Sequence, residues 1–542
     1  MSDSVACARA VLGQLLAQGV TDLVLAPGSR SAPLALVAEA AAREGLLRLH
    51  VRVDERAAGF LALGLAKGSG HCVPVVTTSG TAVGNLLPAV MEAHHSRVPL
   101  LVVSADRPAS LVGTGANQTT EQADLFGGFL RYRARVASAA APQSWLAQAA
   151  RAVLAAEGAL SRNAGPAQLN LELGLPLVPA DGPVGGPVPA SAVEAGPAAD
   201  PEPVLLPGTP RTLVVCGDAA PATGRAAVEL AEAAGVPLLA EPSSNARVGA
   251  TALATGRLLL AGSLGDQVER VVVFGRPNLS RPVTALLSRP DVEVVVVTEA
   301  PDYPDPGWRA KLVVPAVALE PGPAEWLAAW QARDADRSAR LDALLAGVAG
   351  VSGLSGPGLA RLVAGAVPAD QVLCLANSNP VRDADLAPVR ADAGPVYANR
   401  GLSGIDGTIG TAVGVALAVN APTTLLCGDL AFVHDAGSLA IGPMEPRPEL
   451  RIVVADDRGG SIFATLEYGQ QRFAEAFERV FATPTGLDLV ALAAAYGVPA
   501  RRLRTADEVA GALAEPASGL EVLVVVVDRE RRAELTCLLG AE

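Results

Sequence analysis

Short, nearly continuous apolar runs recur along the chain and alternate with alanine-rich stretches of helical periodicity. Examples are DLVLAPG (22–28), VPVVTTSG (73–80), RVVVFGRP (270–277), TTLLCGDL (423–430) and LEVLVVVVDR (520–529). A strand of a parallel sheet is buried on both faces, so it reads as a continuous apolar run. The pattern therefore predicts an α/β protein in which helices cover both faces of parallel sheets. Because only 3% of the residues are aromatic, we expect aliphatic cores.

Two interruptions of this pattern suggest domain boundaries. Residues 176–210 are rich in proline and glycine and have no periodicity, as expected of an interdomain linker. A second interruption lies at about 317–358. In a chain of 542 residues, these breaks predict three doubly wound parallel-sheet domains of similar size. The predicted ranges are 1–180 for the first domain, 181–210 for a linker, 211–345 for a central domain and 346–542 for the third domain.

Charge and composition exclude several classes of function. The formal charge of −13 makes nucleic acid or an anionic membrane an unfavourable partner. No apolar run reaches the ~20 residues that span a bilayer, and the N-terminus lacks the features of a signal peptide. The six cysteines show no CxxC pairing, which favours buried, reduced thiols in a cytoplasmic protein. The chain also contains no GxGxxG fingerprint, Walker sequence or GxSxG elbow.

Arginines follow several of the predicted strands. In open α/β sheets, ligands bind beyond the carboxyl ends of the strands. Arg30, Arg107, Arg382 and Arg400 all occupy such positions. Any one of them could be a solvated loop residue, but together they could bind carboxylates through bidentate hydrogen bonds. The set favours anionic substrates.

Two acidic positions also follow apolar runs. The run TTLLCG is followed by Asp429. The run LRIVVAD is followed by Asp457, which lies 28 residues after Asp429. A crossover of this length predicts parallel, adjacent strands, which would bring both carboxylates to one edge of the sheet. Gly459 and Gly460 follow and allow backbone atoms to approach a ligand closely. Such oxygen ligands suit Mg²⁺ bound to a diphosphate, and the alternative is that Asp429 caps a turn.

Glu55 lies in the stretch LHVRVDERAAG (49–59), where apolar residues alternate with His50 and Arg52. Continuing the alternation places Glu55 on the apolar face of a strand. A carboxyl in a dry pocket would have a raised pKa and could exchange a proton with a bound base. The alternative is that the strand has ended and Glu55 is an ordinary exposed acid.

The remaining histidines give weaker signals. His94 and His95 are adjacent in a predicted helix and cannot share a face, which favours a structural role over a metal pair. His434 follows Asp429 closely enough to line the same site.

The motifs match a known superfamily when they are taken together. The matching stretches are PGSRSAPL (27–34), VDERAAGFLALGLAK (53–67), TTSGTAVGNLLPAVMEA (77–93), SADRP (104–108), GANQTTEQ (115–122), NSNPVRD (377–383), NRGLSGIDGTIGTA (399–412), GDLAFVHD (428–435) and GGSIF (459–463). In this order they resemble the thiamine diphosphate-dependent decarboxylase superfamily. More narrowly, the chain looks like the synthase family of menaquinone biosynthesis that acts on 2-oxoglutarate and isochorismate. The middle of the chain carries much less of the resemblance.

The resemblance implies a fold, a reaction and an assembly. The first domain would bind the aminopyrimidine, the third would bind the diphosphate, and the central domain would be largely structural. The enzyme would be a transferase that decarboxylates 2-oxoglutarate and adds the resulting succinyl carbanion to isochorismate. The products would be 2-succinyl-5-enolpyruvyl-6-hydroxy-3-cyclohexene-1-carboxylate and CO₂. The active site would lie between the first domain of one subunit and the third domain of another, so the resemblance implies a homodimer or homotetramer.

The resemblance also implies roles for individual residues. Glu55 matches the catalytic glutamate that exchanges a proton with the aminopyrimidine. Asp429 and Asp457 match side-chain ligands of Mg²⁺ or Mn²⁺, and Gly459 matches a backbone carbonyl ligand. The matched cofactor-binding positions also include Ser403, Gly428 and Ile405, the last as a bulky support for the bent cofactor. The matched substrate-side positions are Ser29, Arg30, Arg107, Asn117, Gln118, Arg281, Ser378, Arg382, Arg400, Ile462, Phe463 and Leu466.

One position departs from the family pattern. The family usually has asparagines before the paired glycines, whereas this chain has Asp456-Asp457-Arg458. An extra carboxylate at the metal would add negative charge beside the diphosphate, which Arg458 is placed to compensate. We therefore expect an altered metal affinity or metal choice, in the direction of Mn²⁺.

Two other functions are compatible with the sequence. One is a different thiamine diphosphate-dependent 2-oxo acid decarboxylase or carboligase. The other is a non-catalytic scaffold that binds the cofactor only for assembly.

Overall fold

The computed structural model describes residues 3–196, 200–352, 354–529 and 532–540. The chain divides into two compact units. Unit 1 comprises Met1–Ala198, Asn399–Asn420 and His434–Pro448, and unit 2 comprises Ala199–Ala398, Ala421–Val433 and Glu449–Glu542.

The regular elements alternate between strands and helices along the whole chain. The strands are β1 (Asp22–Leu25), β2 (Arg48–Val51), β3 (Val73–Thr77), β4 (Leu100–Asp106), β5 (Tyr132–Ala137), β6 (Ala167–Glu172), β7 (Val204–Leu206), β8 (Thr212–Cys216), β9 (Leu238–Ala240), β10 (Arg270–Phe274), β11 (Glu293–Val297), β12 (Ala310–Val314), β13 (Val317–Leu319), β14 (Val372–Leu375), β15 (Val396–Ala398), β16 (Thr423–Gly428), β17 (Leu450–Asp456), β18 (Ala500–Leu503) and β19 (Leu520–Val526). The α-helices are α1 (Asp3–Ala17), α2 (Ala32–Arg43), α3 (Glu55–Ser69), α4 (Thr81–Gly84), α5 (Leu87–Ser96), α6 (Pro142–Ala156), α7 (Pro221–Ala234), α8 (Gly256–Leu259), α9 (Ser263–Asp266), α10 (Arg281–Leu287), α11 (Ala324–Ser352), α12 (Gly356–Ala366), α13 (Asn379–Ala384), α14 (Thr408–Val419), α15 (Asp429–His434), α16 (Ala474–Phe477), α17 (Leu489–Ala495), α18 (Ala506–Ala514) and α19 (Arg532–Gly540). Short 3₁₀ segments lie at Ala109–Leu111, Gly127–Phe129, Ala436–Leu439, Ser461–Thr465, Glu467–Gly469 and Gln471–Phe473, and a π-helical turn lies at Glu478–Ala482.

Unit 1 is built on a six-stranded sheet with the order β2-β1-β3-β4-β6-β5. Its strands pair in parallel. The central strands β3, β4 and β6 are buried along their full length. Their continuous apolar sequences follow from this burial, because helices shield both faces of a parallel sheet from water.

Unit 2 contains two larger parallel sheets and a short one. The first has the order β12-β11-β10-β8-β9, the second has the order β15-β14-β16-β17-β19-β18, and β7 pairs with β13. Numbered within its own sheet, the second repeats the order 2-1-3-4-6-5 of unit 1, whereas the first has the flavodoxin-like order 2-1-3-4-5. The predicted α/β class with parallel sheets is confirmed.

The three larger sheets fall within the predicted domain ranges, but β7 of the short sheet lies in the predicted linker, and the units are divided differently. The sheet strands span 22–172, 212–314 and 372–526, inside the ranges predicted for the three domains. The second and third of these spans belong to unit 2, and α14 belongs to unit 1. The predicted domain boundaries remain predictions.

The predicted linker is attached to unit 1 over part of its length. The Arg9 Nε donates to the Gly186 carbonyl at 2.7 Å, and the Val188 amide donates to the Arg9 carbonyl at 3.0 Å. The side-chain Nε2 of Gln14 donates to the Ser191 carbonyl at 2.9 Å. This stretch therefore lies along α1 and does not behave as a free tether. Residues 197–199 of the predicted linker lie outside the described residues.

Helices α3 and α14 of unit 1 pack backbone against backbone. A Cβ atom at Gly64 would lie 2.1 Å from the Thr411 carbonyl oxygen, and one at Gly414 would lie 2.3 Å from the Leu61 carbonyl oxygen. Glycine is needed at both positions because any side chain would collide with main-chain atoms of the other helix. The packing fixes the position of α3, whose first residue is Glu55.

Two further sequence predictions concern membranes and thiols. Within the described ranges, no helix combines the length and the apolar character needed to cross a bilayer. Five cysteines are buried free thiols, as predicted, but Cys537 in α19 is exposed. The prediction of burial was wrong at Cys537, which lies on an exposed part of the C-terminal helix rather than in a strand.

Candidate active site

Unit 2 brings together the three residues predicted to bind the metal. Strands β16 and β17 are parallel neighbours, with Gly428 paired to Ala455, so the predicted adjacency is confirmed. Asp429 and Asp457 therefore emerge at the carboxyl ends of adjacent strands. The Gly459 amide donates to Asp429 Oδ2 at 2.7 Å, which draws the two loops together.

Gly459 has a backbone that only glycine adopts readily. Its φ is 130°, and a Cβ atom there would lie 2.3 Å from the Ala482 carbonyl oxygen. The glycine therefore permits the close approach of the main chain to Asp429.

The electrostatics of the pair favour a cation. Burial, together with the negative charge of Asp457, raises the pKa of Asp429 to about 7, although hydrogen bonds from two amides oppose the shift. Burial likewise raises the pKa of Asp457 to about 6, against a hydrogen bond from Ser461 and the positive charges of Arg532 and Arg529. Both carboxylates are ionised at less cost when a cation lies between them.

The neighbouring acid Asp456 behaves differently. It accepts a hydrogen bond from Arg502 Nη1 at 3.0 Å. Within the described ranges, neither Asp429 nor Asp457 forms such an ion pair. Two buried carboxylates without a cationic partner suit a hard divalent ion, so the donor set fits Mg²⁺ or Mn²⁺.

The carboxylates alone do not complete a metal site. In the part of the chain that the structure describes, no group of three His, Cys, Asp or Glu side chains is placed to hold a metal. A metal between Asp429 and Asp457 therefore needs other oxygen ligands, such as the Gly459 carbonyl and a diphosphate.

Arg458 does not provide the predicted compensation. Its side chain is exposed, and its backbone adopts a left-handed φ of 58°. The positive charges that act on Asp457 come from Arg532 and Arg529. Arg529 also donates to the Arg458 carbonyl at 3.2 Å. The prediction for Arg458 was wrong because the compensating arginines are more than 70 residues away in the sequence, where no local pattern indicates them.

Unit 2 also holds predicted substrate-side residues near these carboxylates. Ser378, with a φ of 70°, precedes α13 and accepts a hydrogen bond from Arg382 Nη1 at 2.8 Å. Ile462 and Phe463 lie in the segment Ser461–Thr465, which follows the loop that contains Asp457 and Gly459. The other predicted residues of unit 2 are the half-buried Gly428 and Leu466.

Arg281 reaches the outer end of this cluster, beside the residue that follows Leu466. It is the first residue of α10, its side chain is 81% exposed, and its guanidinium is 3.6 Å from Glu467.

Glu55 lies in unit 1 at the start of a helix, not on a strand. Strand β2 ends at Val51, while Asp54 caps α3 by accepting from the Arg56 amide at 2.8 Å. Glu55 is half-buried and accepts from Asn85 Nδ2 at 3.2 Å. The helix cap therefore sets the position of the glutamate.

The predicted alternation before Glu55 was wrong. His50 and Arg52 are buried, and Val53 is 83% exposed. The two basic residues face inward because each has an acidic partner: His50 Nε2 is 2.8 Å from Asp22 Oδ1, and Arg52 Nη1 is 3.7 Å from Glu445 Oε2.

Arg107 and Gln118 meet in unit 1 at the carboxyl end of β4. Arg107 Nη1 donates to the Gln118 carbonyl at 2.9 Å and also contacts Ser79 Oγ. Gln118 has a left-handed φ of 58°, and its side-chain Nε2 donates to the Ser79 carbonyl at 2.9 Å. The buried Gln122 holds the same region by accepting from the Gly80 amide at 3.1 Å.

Arg30 and Arg107 lie close enough for their positive charges to repel each other. Burial and the charge of Arg107 both lower the pKa of the Arg30 guanidinium. Arg30 also donates to the Leu173 carbonyl at 2.8 Å. An anionic ligand would relieve the repulsion between the two arginines. Two other predicted substrate-side residues lie next to these side chains in the sequence. Ser29 precedes Arg30, Asn117 precedes Gln118, and both are exposed.

The predicted loop that contains Arg400 is held by a buried carboxylate. Glu92 in α5 accepts from the Gly401 amide and the Leu402 amide, both at 2.8 Å. Arg400 itself is 1% exposed, whereas Ser403 is exposed and Ile405 is half-buried. Glu92 lies within the quoted motif TTSGTAVGNLLPAVMEA, but no periodicity marked it as part of the site.

The histidines take the positions of structural residues. His94 Nδ1 lies 2.7 Å from the Phe129 carbonyl oxygen, which agrees with the predicted structural role. His434 is exposed, and its carbonyl accepts from Arg56 Nη2 at 2.8 Å.

Comparison with known proteins identifies the family. Residues 6–125 match the N-terminal TPP binding domain of thiamine pyrophosphate enzymes, and residues 387–527 match the C-terminal TPP binding domain. Proteins named 2-succinyl-5-enolpyruvyl-6-hydroxy-3-cyclohexene-1-carboxylate synthase are similar along nearly the whole chain. The relative from Kineococcus radiotolerans is 51% identical over 98% of this chain and 97% of its own length. Those from a Nocardioides species and Paenarthrobacter aurescens are 48% and 46% identical, over 98% and 97% of this chain and 96% and 94% of their own lengths. The chain belongs to the 2-succinyl-5-enolpyruvyl-6-hydroxy-3-cyclohexene-1-carboxylate synthase family, whose members are thiamine diphosphate-dependent transferases that form carbon–carbon bonds.

Proposed function

We propose that the enzyme transfers a succinyl group from 2-oxoglutarate to isochorismate, with loss of CO₂, in menaquinone biosynthesis. The product would be 2-succinyl-5-enolpyruvyl-6-hydroxy-3-cyclohexene-1-carboxylate. The observation that carries the proposal is the pair Asp429 and Asp457, which are buried at the ends of adjacent strands and form no ion pair among the residues that the structure describes. The pair lies within the matched C-terminal TPP binding domain.

The metal and the diphosphate would be held by unit 2. Asp429 and Asp457 would bind Mg²⁺ or Mn²⁺ through their side chains, and Gly459 would bind it through its carbonyl. Gly428 would lie beside the diphosphate. Thiamine diphosphate, when bound, supplies the electron sink for decarboxylation.

The proton chemistry would depend on unit 1. Glu55 would hold and move a proton at its carboxyl group, with Asn85 orienting that group through their hydrogen bond. Ser403 and Ile405 would support the cofactor. The resemblance implies that the Glu55 of one subunit serves the metal site of another, so we propose a homodimer or homotetramer that works in the cytoplasm.

The substrate carboxylates would be bound by arginines. Arg30 and Arg107 form one pair, and Arg382 stands beside Ser378. Bidentate pairs with carboxylates are the strongest hydrogen bonds these side chains form. Arg400 has to leave its buried position or act through its backbone, and the exposed Arg281 is the weakest member. The remaining proposed substrate-side residues are Ser29, Asn117, Gln118, Ile462, Phe463 and Leu466.

The direct test is a reconstituted reaction. The purified protein is supplied with thiamine diphosphate, Mg²⁺, 2-oxoglutarate and isochorismate, and the loss of isochorismate is followed. We expect turnover only when all four components are present, and little turnover when pyruvate replaces 2-oxoglutarate. Isochorismate that is not consumed would refute the acceptor, and equal use of pyruvate would refute the donor.

A variant separates catalysis from scaffolding. Glu55→Gln keeps the size of the side chain but removes its proton chemistry, so we expect turnover to fall by about 10²-fold or more. Calorimetry should show that thiamine diphosphate still binds. Unchanged turnover in this variant would contradict the assigned role of Glu55.

A further inference from the structure

Arg532 is buried at the start of the C-terminal helix α19. Its Nη1 and Nη2 atoms donate to Asp383 Oδ1 at 2.9 Å and to Asp383 Oδ2 at 2.7 Å. Arg532 is 9% exposed and Asp383 is 6% exposed. The bidentate geometry fixes the guanidinium against α13 in one orientation.

The third donor of the guanidinium leads toward the proposed metal site. With its side-chain amide oxygen turned toward its donors, Asn379 accepts from Arg532 Nε and from the Ile462 backbone amide, both at 3.2 Å, and lies 2.7 Å from Ser461 Oγ. Ser461 in turn donates a short hydrogen bond to Asp457 Oδ2. Arg532 is therefore linked to Asp457 through Asn379, which holds the main chain at Ile462, and through the hydroxyl of the preceding residue, Ser461.

The first residue of α12 packs directly on this ion pair. A Cβ atom at Gly356 would lie 2.0 Å from Arg532 Nη2 and 2.4 Å from Asp383 Oδ2. The arginine and its carboxylate therefore form part of the packed interior, and a side chain of another shape would not retain these contacts.

The position of Arg532 answers the charge problem raised by Asp457. The resemblance places an asparagine where this chain has Asp457, and Arg458 is exposed. A buried second carboxylate at a metal site needs a nearby positive charge or a rigid set of hydrogen bonds. Arg532, fixed by its pair with Asp383, offers the rigid set of hydrogen bonds through the contacts described above.

We propose that Arg532 is a positioning residue for the metal and diphosphate site. It orients the Asp457 carboxylate through Asn379 and the adjoining Ser461, while its own charge is paired with Asp383. Because the same guanidinium anchors α13, it also holds the helix that follows Ser378 and carries Arg382. The inference rests on the proposed metal site formed by Asp429, Asp457 and Gly459.

The test measures Mg²⁺ binding and does not depend on turnover. Calorimetry at saturating thiamine diphosphate gives the Kd of Mg²⁺ for the wild type, Arg532→Gln and Arg532→Lys. We expect Arg532→Gln to raise this Kd by about tenfold and Arg532→Lys, which keeps the charge, to raise it less.

Arg451 provides a matched control. It is a buried arginine, 4% exposed, whose Nε is 2.7 Å from Glu521 Oε1. It lies near the start of β17, at the end of that strand remote from Asp457. Arg451→Gln removes a comparable ion pair and should lower thermal stability similarly, but it should leave the Mg²⁺ Kd within about twofold of the wild type.

Two further variants keep the test decisive. Asn379→Ala breaks this link but leaves the pair of Arg532 with Asp383, so it should weaken Mg²⁺ binding even if Arg532→Gln does not fold. In an Asp457→Asn background, removing Arg532 should cost clearly less than in the wild type, because the carboxylate whose orientation Arg532 fixes is gone. A Kd within about twofold of the wild type for Asn379→Ala, or for a folded Arg532→Gln, would overturn the inference. A wild type that shows no Mg²⁺-dependent binding of thiamine diphosphate would instead refute the proposed metal site.

Discussion

Three acids at the carboxyl ends of β16 and β17 have different surroundings although they are chemically identical. Asp456 is neutralised by Arg502. Asp429 is held by the Gly459 amide, and Asp457 is held by Ser461. Only the last two remain buried without an ion-pair partner within the described ranges, so the partners of each acid, not its residue type, determine which carboxylates are available to a metal.

The extra carboxylate at the proposed metal site can be tested directly. Asp457→Asn removes one negative charge beside the diphosphate, so we expect the preference to shift from Mn²⁺ toward Mg²⁺ by roughly five- to tenfold, about 1 kcal/mol. Half-saturation by Mg²⁺ and by Mn²⁺ is measured from activity in the wild type and the variant. Indistinguishable values for the two proteins would contradict the prediction.

Asp435 should make the stability of the protein depend on pH. It is fully buried and accepts from the Ile409 and Gly410 amides at 2.7 and 2.9 Å. Burial raises its pKa from 3.8 to about 6. The unfolded chain then loses this proton at lower pH than the folded chain, so the contribution of Asp435 to stability should fall by about 3 kcal/mol as the pH rises from about 4 to 6 and stay constant above that.

The variant Asp435→Asn should make this pH dependence less steep, because asparagine can accept the same amide hydrogen bonds without titrating, while Asp429 and Asp457 still titrate. Urea unfolding at a series of pH values measures the free energy of unfolding of both proteins. Asp488 offers a control: it caps α17 in an exposed position, and hydrogen bonds from the Val490 and Ala491 amides lower its pKa. Asp488→Asn should therefore leave the pH dependence of the free energy of unfolding between pH 4 and 6 the same as in the wild type. The same slope in Asp435→Asn and the wild type would refute the role given to Asp435.

At the scale of elements, loops rather than strands carry most of the proposed chemistry. The parallel sheets place the loops at common edges, and single buried side chains then hold them in place. Glu92 holds the loop that begins at Arg400, and Arg532 holds α13 against the segment that contains Ile462. In the sheet of unit 2 with the order β12-β11-β10-β8-β9, the loops after β8 and β10 are joined by backbone hydrogen bonds. The Arg276 amide donates to the Asp218 carbonyl at 3.0 Å. The sheet edge where related folds bind ligands is thus occupied by the chain itself.

The contact between α3 and α14 leads to a prediction for this pair of helices. Gly414→Ala would place a methyl group 2.3 Å from the Leu61 carbonyl, so the helices must separate at a cost of about 2 kcal/mol. Gly511 in α18 has no atom within 4 Å of its ideal Cβ position, and Gly511→Ala should instead stabilise the protein by about 1 kcal/mol. Urea unfolding compares the two variants. Equal effects of the same sign would contradict the close-packing argument.

At the scale of the whole molecule, the proposed site residues are distributed over two units. Glu55, Arg107 and Ile405 belong to unit 1, and Asp429 and Asp457 belong to unit 2. The sheet of unit 1 and the last sheet of unit 2 share the strand order 2-1-3-4-6-5, so two similar frameworks present different chemistry at their loops.

Complementation would test whether subunits share active sites, as the resemblance implies. Glu55→Gln and Asp429→Asn chains should each be nearly inactive alone. When they are co-expressed in equal amounts, mixed dimers would have one intact site of two, and about a quarter of the wild-type activity should return. Light scattering coupled to gel filtration verifies that mixed assemblies form. Activity that does not recover in verified mixed dimers would place both residues in one chain's own site.

The sequence alone determined the fold class and the sheet edge where the metal is proposed to bind. Burial on both faces leaves continuous apolar runs in the sequence, and the length of a crossover implies parallel neighbours, so the spacing of Asp429 and Asp457 is enough to pair them. Only the tertiary structure decided the helix-cap position of Glu55 and the inward orientation of His50 and Arg52. It also decided the exposure of Arg458 and the contributions of Glu92 and Arg532. These features depend on ion pairs and hydrogen bonds between residues far apart in the chain, and such contacts leave no periodicity that a sequence can reveal.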